Sequence, residues 1–416
     1  MNSFQSAMNR AAFWLAGGST VAILFSIAAS QILLGLALAA LLLSGSRLCL
    51  PPIRLPLALF MLGTIVSLLL SGDPASGLPQ IRKFFVFVTL LVVYSTFREV
   101  ADVRRLILCW AGAGAVVSAQ GLAQFVEKYR EAQLAGRDFY EYYVGERITG
   151  FMSHWMTFGG QLTFVFVLIV AFVFFSPAAR GKLRWFGLLS ASLLGTAILL
   201  SWNRSMWPAT GAAFVYLVWY RRKLLLFALP LVLAAAIWLV PGVRGRVVSI
   251  VRPHGDMDSN QFRIVCWRTG WQMIKAHPWF GLGPEQVRIQ FYQWVPQDIP
   301  RPLPTGWYGH LHNIFIHYAA ERGIPTMLFL VWLLVKILFD FLRAVRRLPP
   351  GPSDARFLLH GGVAVIIVTV LTGLFELNLG DSEVLSMFLA AVACCYVACD
   401  TASAGSSSRA QTPPAT

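Results

Sequence analysis

Gly309-His310-Leu311-His312-Asn313-Ile314-Phe315-Ile316-His317-Tyr318-Ala319-Ala320-Glu321-Arg322-Gly323-Ile324-Pro325 joins the longest polar interval of the chain to an apolar run long enough to enter a membrane. It holds three of the seven histidines in a sequence where titratable side chains are scarce. The spacing predicts a helix of about three turns from His312 to Arg322, with Gly323 as a left-handed cap and Pro325 opening the next helix. His312 is then expected in the first turn, where the helix dipole disfavours imidazolium and keeps the ring neutral. A neutral imidazole is suited to accept a proton near neutral pH, so His312 is the candidate base.

Working outward, the composition sets the class. The 416 residues are 57% hydrophobic and 13% charged, and the mean hydropathy is +0.64. Soluble domains carry roughly a quarter charged residues, so the expectation is an all-α integral membrane protein. Apolar runs read at about 11–45 (a tight pair), 55–71, 79–97, 101–126, 151–175, 184–201, 206–220 and 224–240. After the polar interval they resume at about 325–343, 357–376 and 383–400, for about twelve spans of the usual length near 20 residues. The first run is too long for a cleavable signal and is expected to be retained.

The net charge of +15 does not point to nucleic acid, because most cations sit in short clusters between apolar runs. Arg47 and Arg54; Arg98, Arg104 and Arg105; Arg180, Lys182 and Arg184; Arg221, Arg222 and Lys223; and Arg343, Arg346, Arg347 and Arg356 follow the positive-inside pattern. These loops and both termini are therefore expected to be cytoplasmic. Arg82 and Lys83 break the pattern at the outer end of a span, as headgroup contacts or as site residues. The six cysteines form no Cys-x-x-Cys pair and only Cys266 falls in the large loop, so neither zinc nor a disulfide framework is expected.

Three intervals on the opposite face carry cations of their own: about 127–150, the Ser201–Pro208 turn, and about 241–324. In the last, Ser259 is a candidate N-cap for a helix carrying Arg263, Trp267 and Trp271 on one face, stopped by His277-Pro278. Pro284 opens a short helix through Arg288. Arg147, Arg204 and Arg263 each read alone as headgroup anchors, but together on one face they suggest an anion site, since guanidinium donates paired hydrogen bonds and stays charged. His154, just inside a span, and Glu321 are further candidates. His310 and His317 read as packing partners of the base, and Asp256 and Asp258 as helix-capping acids. No metal site and no cofactor are expected, because His310 and His312 would face apart on a helix.

Four segments together resemble the bacterial O-antigen ligase and polymerase superfamily. They are Arg147-Ile148-Thr149-Gly150 with His154; the Asn203-Arg204-Ser205 turn; Arg263 with Trp267, leading to His277-Pro278-Trp279-Phe280-Gly281-Leu282-Gly283; and His310-Leu311-His312-Asn313, leading to Glu321-Arg322-Gly323-Ile324. The resemblance covers nearly the whole chain in topology. It implies a glycosyltransferase C-like fold: transmembrane helices one to nine over 1–240, a large periplasmic loop with the catalytic helix as a helical cap over 241–324, helices ten to twelve over 325–400, and an unstructured cytoplasmic tail over 401–416. The setting it implies is the bacterial inner membrane, with the active site facing the periplasm.

The activity implied is transfer of a glycan from undecaprenyl diphosphate to a sugar hydroxyl of lipid A-core, inverting and metal-independent. His312 would be the base, and Arg204, Arg263 and Arg147 would hold the diphosphate. His154, Arg288, His310 and Glu321 are further site candidates. An O-antigen polymerase or a protein-glycosylating ligase shares donor and base and differs in acceptor. A transporter of lipid-linked substrate is the reading from another class; it calls for repeats and mid-membrane charge.

Overall fold

The computed structural model describes residues 3–228, 242–249 and 260–410, together with Arg252 and isolated positions between 230 and 238. Every regular element among them is helical. The N-terminal half comprises α1 (Ser3–Ala22), α2 (Ile27–Leu43), α3 (Arg54–Leu70), α4 (Pro74–Arg82), α5 (Val88–Thr96), α6 (Val100–Leu134), α7 (Phe139–Gly145), α8 (Trp155–Phe175), α9 (Gly181–Leu200) and α10 (Met206–Arg221). Short helices α11 (Val243–Val248), α12 (Gln261–Ala276) and α13 (Gln286–Gln290) precede α14 (Ile314–Arg347), α15 (Asp354–Gly373) and α16 (Ser382–Ala410).

Six helices among the described residues are long and apolar enough to cross a membrane: the α4–α5 composite, α6, α8, α9, α15 and Ser382–Ser403 of α16. Ile27–Leu43 and Arg54–Leu70 are apolar but shorter. The run expected at 224–240 begins as a single-turn helix, Lys223–Ala228, and otherwise lies mostly outside the described residues, as do Asp256, Asp258 and Ser259. At the centre, α8 is buried on nearly every side. A helix apolar all round belongs inside a bundle, and α8 packs on α6, α9, α10, α15 and α16.

Two expected boundaries move. The helix read at 101–126 runs on to Leu134, because its second half is polar but rich in good helix formers. The tail expected to be unstructured continues α16 as helix to Ala410.

The break after Arg322 carries the loop layer. Gly323 has the positive φ expected of it (82°), but with ψ 161° it kinks α14 rather than capping it. Pro325 has no N–H, so the Glu321 carbonyl loses its helical partner. The His277–Gly283 loop supplies the missing groups: Leu282 N donates to Ala320 O (2.9 Å), Gly283 N to Glu321 O (2.8 Å), and Ile324 N to Pro278 O (2.8 Å). Ser67 Oγ on α3 also donates to Glu321 O, at 2.9 Å. Buried backbone groups are almost always paired, which gives the His277–Gly283 stretch its structural purpose. A Cβ on Gly323 would lie 2.0 Å from Trp279 O. Gly323→Ala is therefore expected to cost roughly 3 kcal/mol from clash and disfavoured φ together; a thermal midpoint matching the parent would overturn this clasp.

Candidate functional site

A cavity of about 820 Å³ lies between the loop layer and the outer ends of α8, α10, α15 and α16. Its lining brings together all eight residues singled out from the sequence: Arg147, Arg204, Arg263, His154, Arg288, His310, His312 and Glu321. It also includes Arg246, His317 and Glu376.

His312 is not in the first turn of its helix. Asn313 is the N-cap, its Oδ1 accepting from Phe315 N (2.9 Å) and Ile316 N (3.0 Å). His312 therefore precedes the helix, with φ 46°. Asn is the better cap because its side chain satisfies two otherwise orphaned donors. A left-handed conformation is uncommon for a residue with a Cβ and costs about 1–3 kcal/mol where it persists at functional sites. The dipole argument for a neutral ring is thus replaced by a direct contact: His312 Nδ1 lies 3.3 Å from Glu376 Oε2.

Glu376 sits in the short connection between α15 and α16. Its Oε1 accepts from Arg263 Nη2 at 2.7 Å and from Ser205 Oγ at 3.4 Å. Its side chain is only 4% exposed. Burial works to raise the carboxyl, but Arg263, His312 and His310 outweigh it and hold it down at about 2. An ionised Glu376 takes the Nδ1 proton of His312 in a hydrogen bond, so the lone pair is on Nε2. That atom is buried and has no hydrogen-bond partner among the described residues. Phe262 packs edge-on against the ring (4.9 Å between centroids).

The arginines crowd the other side of Glu376. Trp202, buried between Tyr140, Tyr143 and Phe139 with φ 49°, shapes the turn that presents Arg204. Arg204 Nη1 donates to Ser249 O (3.2 Å), and Arg246 Nε to Trp202 O (3.1 Å). Arg147 stacks on Trp155, 4.7 Å from the ring centroid, and donates Nε to Val144 O. Burial, then the like charges of Arg246 and Arg204, push the Arg147 guanidinium down to about 9 despite Glu376. A guanidinium depressed by neighbouring cations marks a place where an anion fits.

The remaining candidates take supporting positions. His154 caps α8, its Nδ1 accepting from Met156 N (3.2 Å), and burial lowers its pKa. His310 accepts the His312 amide at Nδ1 (3.3 Å), and its ring packs 4.0 Å from that of His312. Burial and the neighbouring imidazoles hold it well below the usual histidine value. Arg288 is at the rim, 3.3 Å from Glu285 and about half exposed. Glu321 accepts Glu285 N (2.7 Å) and faces His317 and Arg322 rather than His312.

Residues 189–331 match the family described as O-antigen ligase. No curated protein matches. The matched segment contains Arg204, Arg246, Arg263 and His312, while Arg147 and Glu376 lie outside it. The match bears out the resemblance to the O-antigen ligase and polymerase superfamily, and with it a glycosyltransferase-like ligase or polymerase activity at that coarse level. With the apolar helices, it fits a multi-pass membrane protein.

Proposed function

We propose that this protein is an O-antigen ligase that moves a glycan from undecaprenyl diphosphate to a sugar hydroxyl of lipid A-core on the periplasmic face of the inner membrane. The observation that carries this reading is the pairing of His312 with Glu376 beside the cluster of Arg147, Arg204, Arg246 and Arg263 in one cavity. The acceptor hydroxyl gives its proton to His312 Nε2 as its oxygen attacks the anomeric carbon. The bond from that carbon to the diphosphate breaks, and its electron pair leaves on the diphosphate oxygen. Attack opposite the leaving group inverts the anomeric configuration. Guanidinium groups aimed at the developing diphosphate charge lower the barrier without a metal. Glu376 stabilises the imidazolium formed, as a buried carboxylate does when it orients a histidine base.

The test mixes purified protein with glycan-loaded undecaprenyl diphosphate and lipid A-core in the presence of chelator. A slower-migrating glycolipid supports the ligase. Lengthened lipid-linked glycan instead assigns a polymerase, and no change in either lipid in folded protein removes the transfer reading. Arg204→Ala and Arg147→Ala are each expected to raise the donor KM about 10- to 100-fold, the size of one charged hydrogen bond. Unchanged donor kinetics would make these arginines headgroup anchors.

A further inference from the structure

The transfer step above leaves a second imidazole–carboxylate pair in the cavity without a task. His317, on the first turn of α14, places Nε2 3.5 Å from Glu321 Oε2, and the two side chains are 6% and 3% exposed. Burial favours a protonated Glu321, but His317, Arg322 and the Glu285 amide outweigh it and keep its carboxyl below the usual range. Nε2 faces the ionised carboxylate, which favours the tautomer with the proton on Nε2 and the lone pair on Nδ1. That nitrogen is buried and has no hydrogen-bond partner among the described residues, although the side chain lines the cavity. Buried acceptors in native proteins are nearly always paired, so a donor from a bound molecule fits here.

The surroundings indicate which molecule. Arg147, Arg204, Arg246 and Arg263 gather near Glu376, while Arg322 and Arg288 stand beside Glu321 and Glu285 and are paired there. Glu285, whose amide Glu321 accepts, and Gln80, which donates to Glu285, also line the cavity, a mixture of donors and acceptors of the kind that holds sugar hydroxyls. Lys83 Nζ donates to Gly380 O at 3.1 Å. Gly380 lies four residues beyond Glu376, so the chain between them spans at most about 14 Å. His317 follows His312 by five residues, so the two are at most about 18 Å apart along the chain, within the length of one short oligosaccharide.

We infer that His317, braced by Glu321, binds the acceptor: its Nδ1 accepts a hydrogen bond from a sugar hydroxyl neighbouring the one that His312 deprotonates. The inference rests on the proposed transfer reaction and names the binding site for its second substrate.

Steady-state kinetics on purified full-length protein, varying each lipid separately, test it. His317→Ala is expected to raise the acceptor KM at least tenfold, with the donor KM and the kcat at saturating acceptor within about twofold of the parent. His317→Gln, which restores an acceptor oxygen, is expected to recover most of the loss and to cover the case in which His317→Ala folds poorly. In a series of singly deoxygenated acceptors, one member should be used equally well by parent and His317→Ala. Three outcomes would overturn the inference: an unchanged acceptor KM, a raised donor KM, or a kcat as low as that of a His312 variant. The last would make His317 the base. A parent enzyme that lengthens lipid-linked glycan but ignores lipid A-core defeats the ligase reading alone, and the same variants are then measured on the lipid-linked acceptor.

Discussion

Replacing His312 with alanine is expected to lower kcat by about 10²–10⁴-fold, the usual contribution of a positioned base, while leaving the protein folded. Two features of the site set this expectation. His312 lines the cavity with a buried Nε2, and its Nδ1 faces an ionised carboxylate that also binds Arg263. Removing the imidazole leaves that carboxylate still paired with Arg263 and Ser205, so no buried charge is stranded. The backbone helps to separate chemistry from folding. At φ 46° asparagine is the residue with a Cβ best suited to replace His312, because it tolerates the left-handed region. His312→Asn should match the parent in thermal midpoint and be as inactive as His312→Ala. Single-turnover transfer with pre-bound donor is the measurement, since it reports the chemical step without product release. Retained turnover in both variants would remove the base assignment and leave His317 as the alternative imidazole.

Much of this site was legible in the sequence because its parts are rare residue types in an apolar background. Arg147, Arg204 and Arg263 are cations with no place in the positive-inside pattern, His312 is an imidazole in a stretch with three histidines, and the fold brings all four to one cavity. The helical class followed equally directly from long apolar runs. What could not be read was pairing over distance. Glu376 lies 64 positions from His312 in a connector whose acidity suits any short loop, and no periodicity ties it to the base. Its one signal was an ionisable residue at the edge of a span, and that signal was passed over. Arg246 was hidden in a long interval with several arginines, where residue type does not separate a site residue from a surface one. The start of α14 was misplaced by two residues because hydrophobic spacing fits a helix beginning at either His312 or Ile314; the side-chain cap of Asn313 decides it. The strain at His312 follows from that cap and so was equally invisible.

Glu376 carries the second large prediction. It is the only acid in direct contact, among the described hydrogen bonds and ion pairs, with both the base and an arginine of the diphosphate cluster. Glu376→Gln keeps the shape and a carbonyl oxygen for one partner but removes the charge that fixes the His312 tautomer and stabilises its imidazolium. The expected result is a kcat loss of about 10²–10⁴-fold, by analogy with the loss when a histidine base is left in the wrong tautomer, with the donor KM changed much less. Glu376→Ala is worse for the fold, because it leaves the Arg263 guanidinium without its partner. Breaking a buried pair costs about 3–5 kcal/mol. Arg263 is 22% exposed towards the cavity, so the lower end of that range applies. The pH dependence gives an independent reading. The folded carboxyl titrates near 2 against an ordinary 4.5, so its stabilisation is complete above about pH 4.5 and is lost as the pH falls towards 2. Between those limits the parent should lose thermal stability more steeply than Glu376→Gln, and the two curves should converge at the acid end. Parallel curves across that window would show that Glu376 is not held as a buried carboxylate. A Glu376→Gln enzyme with parental kcat would separate the carboxylate from the base assigned to His312.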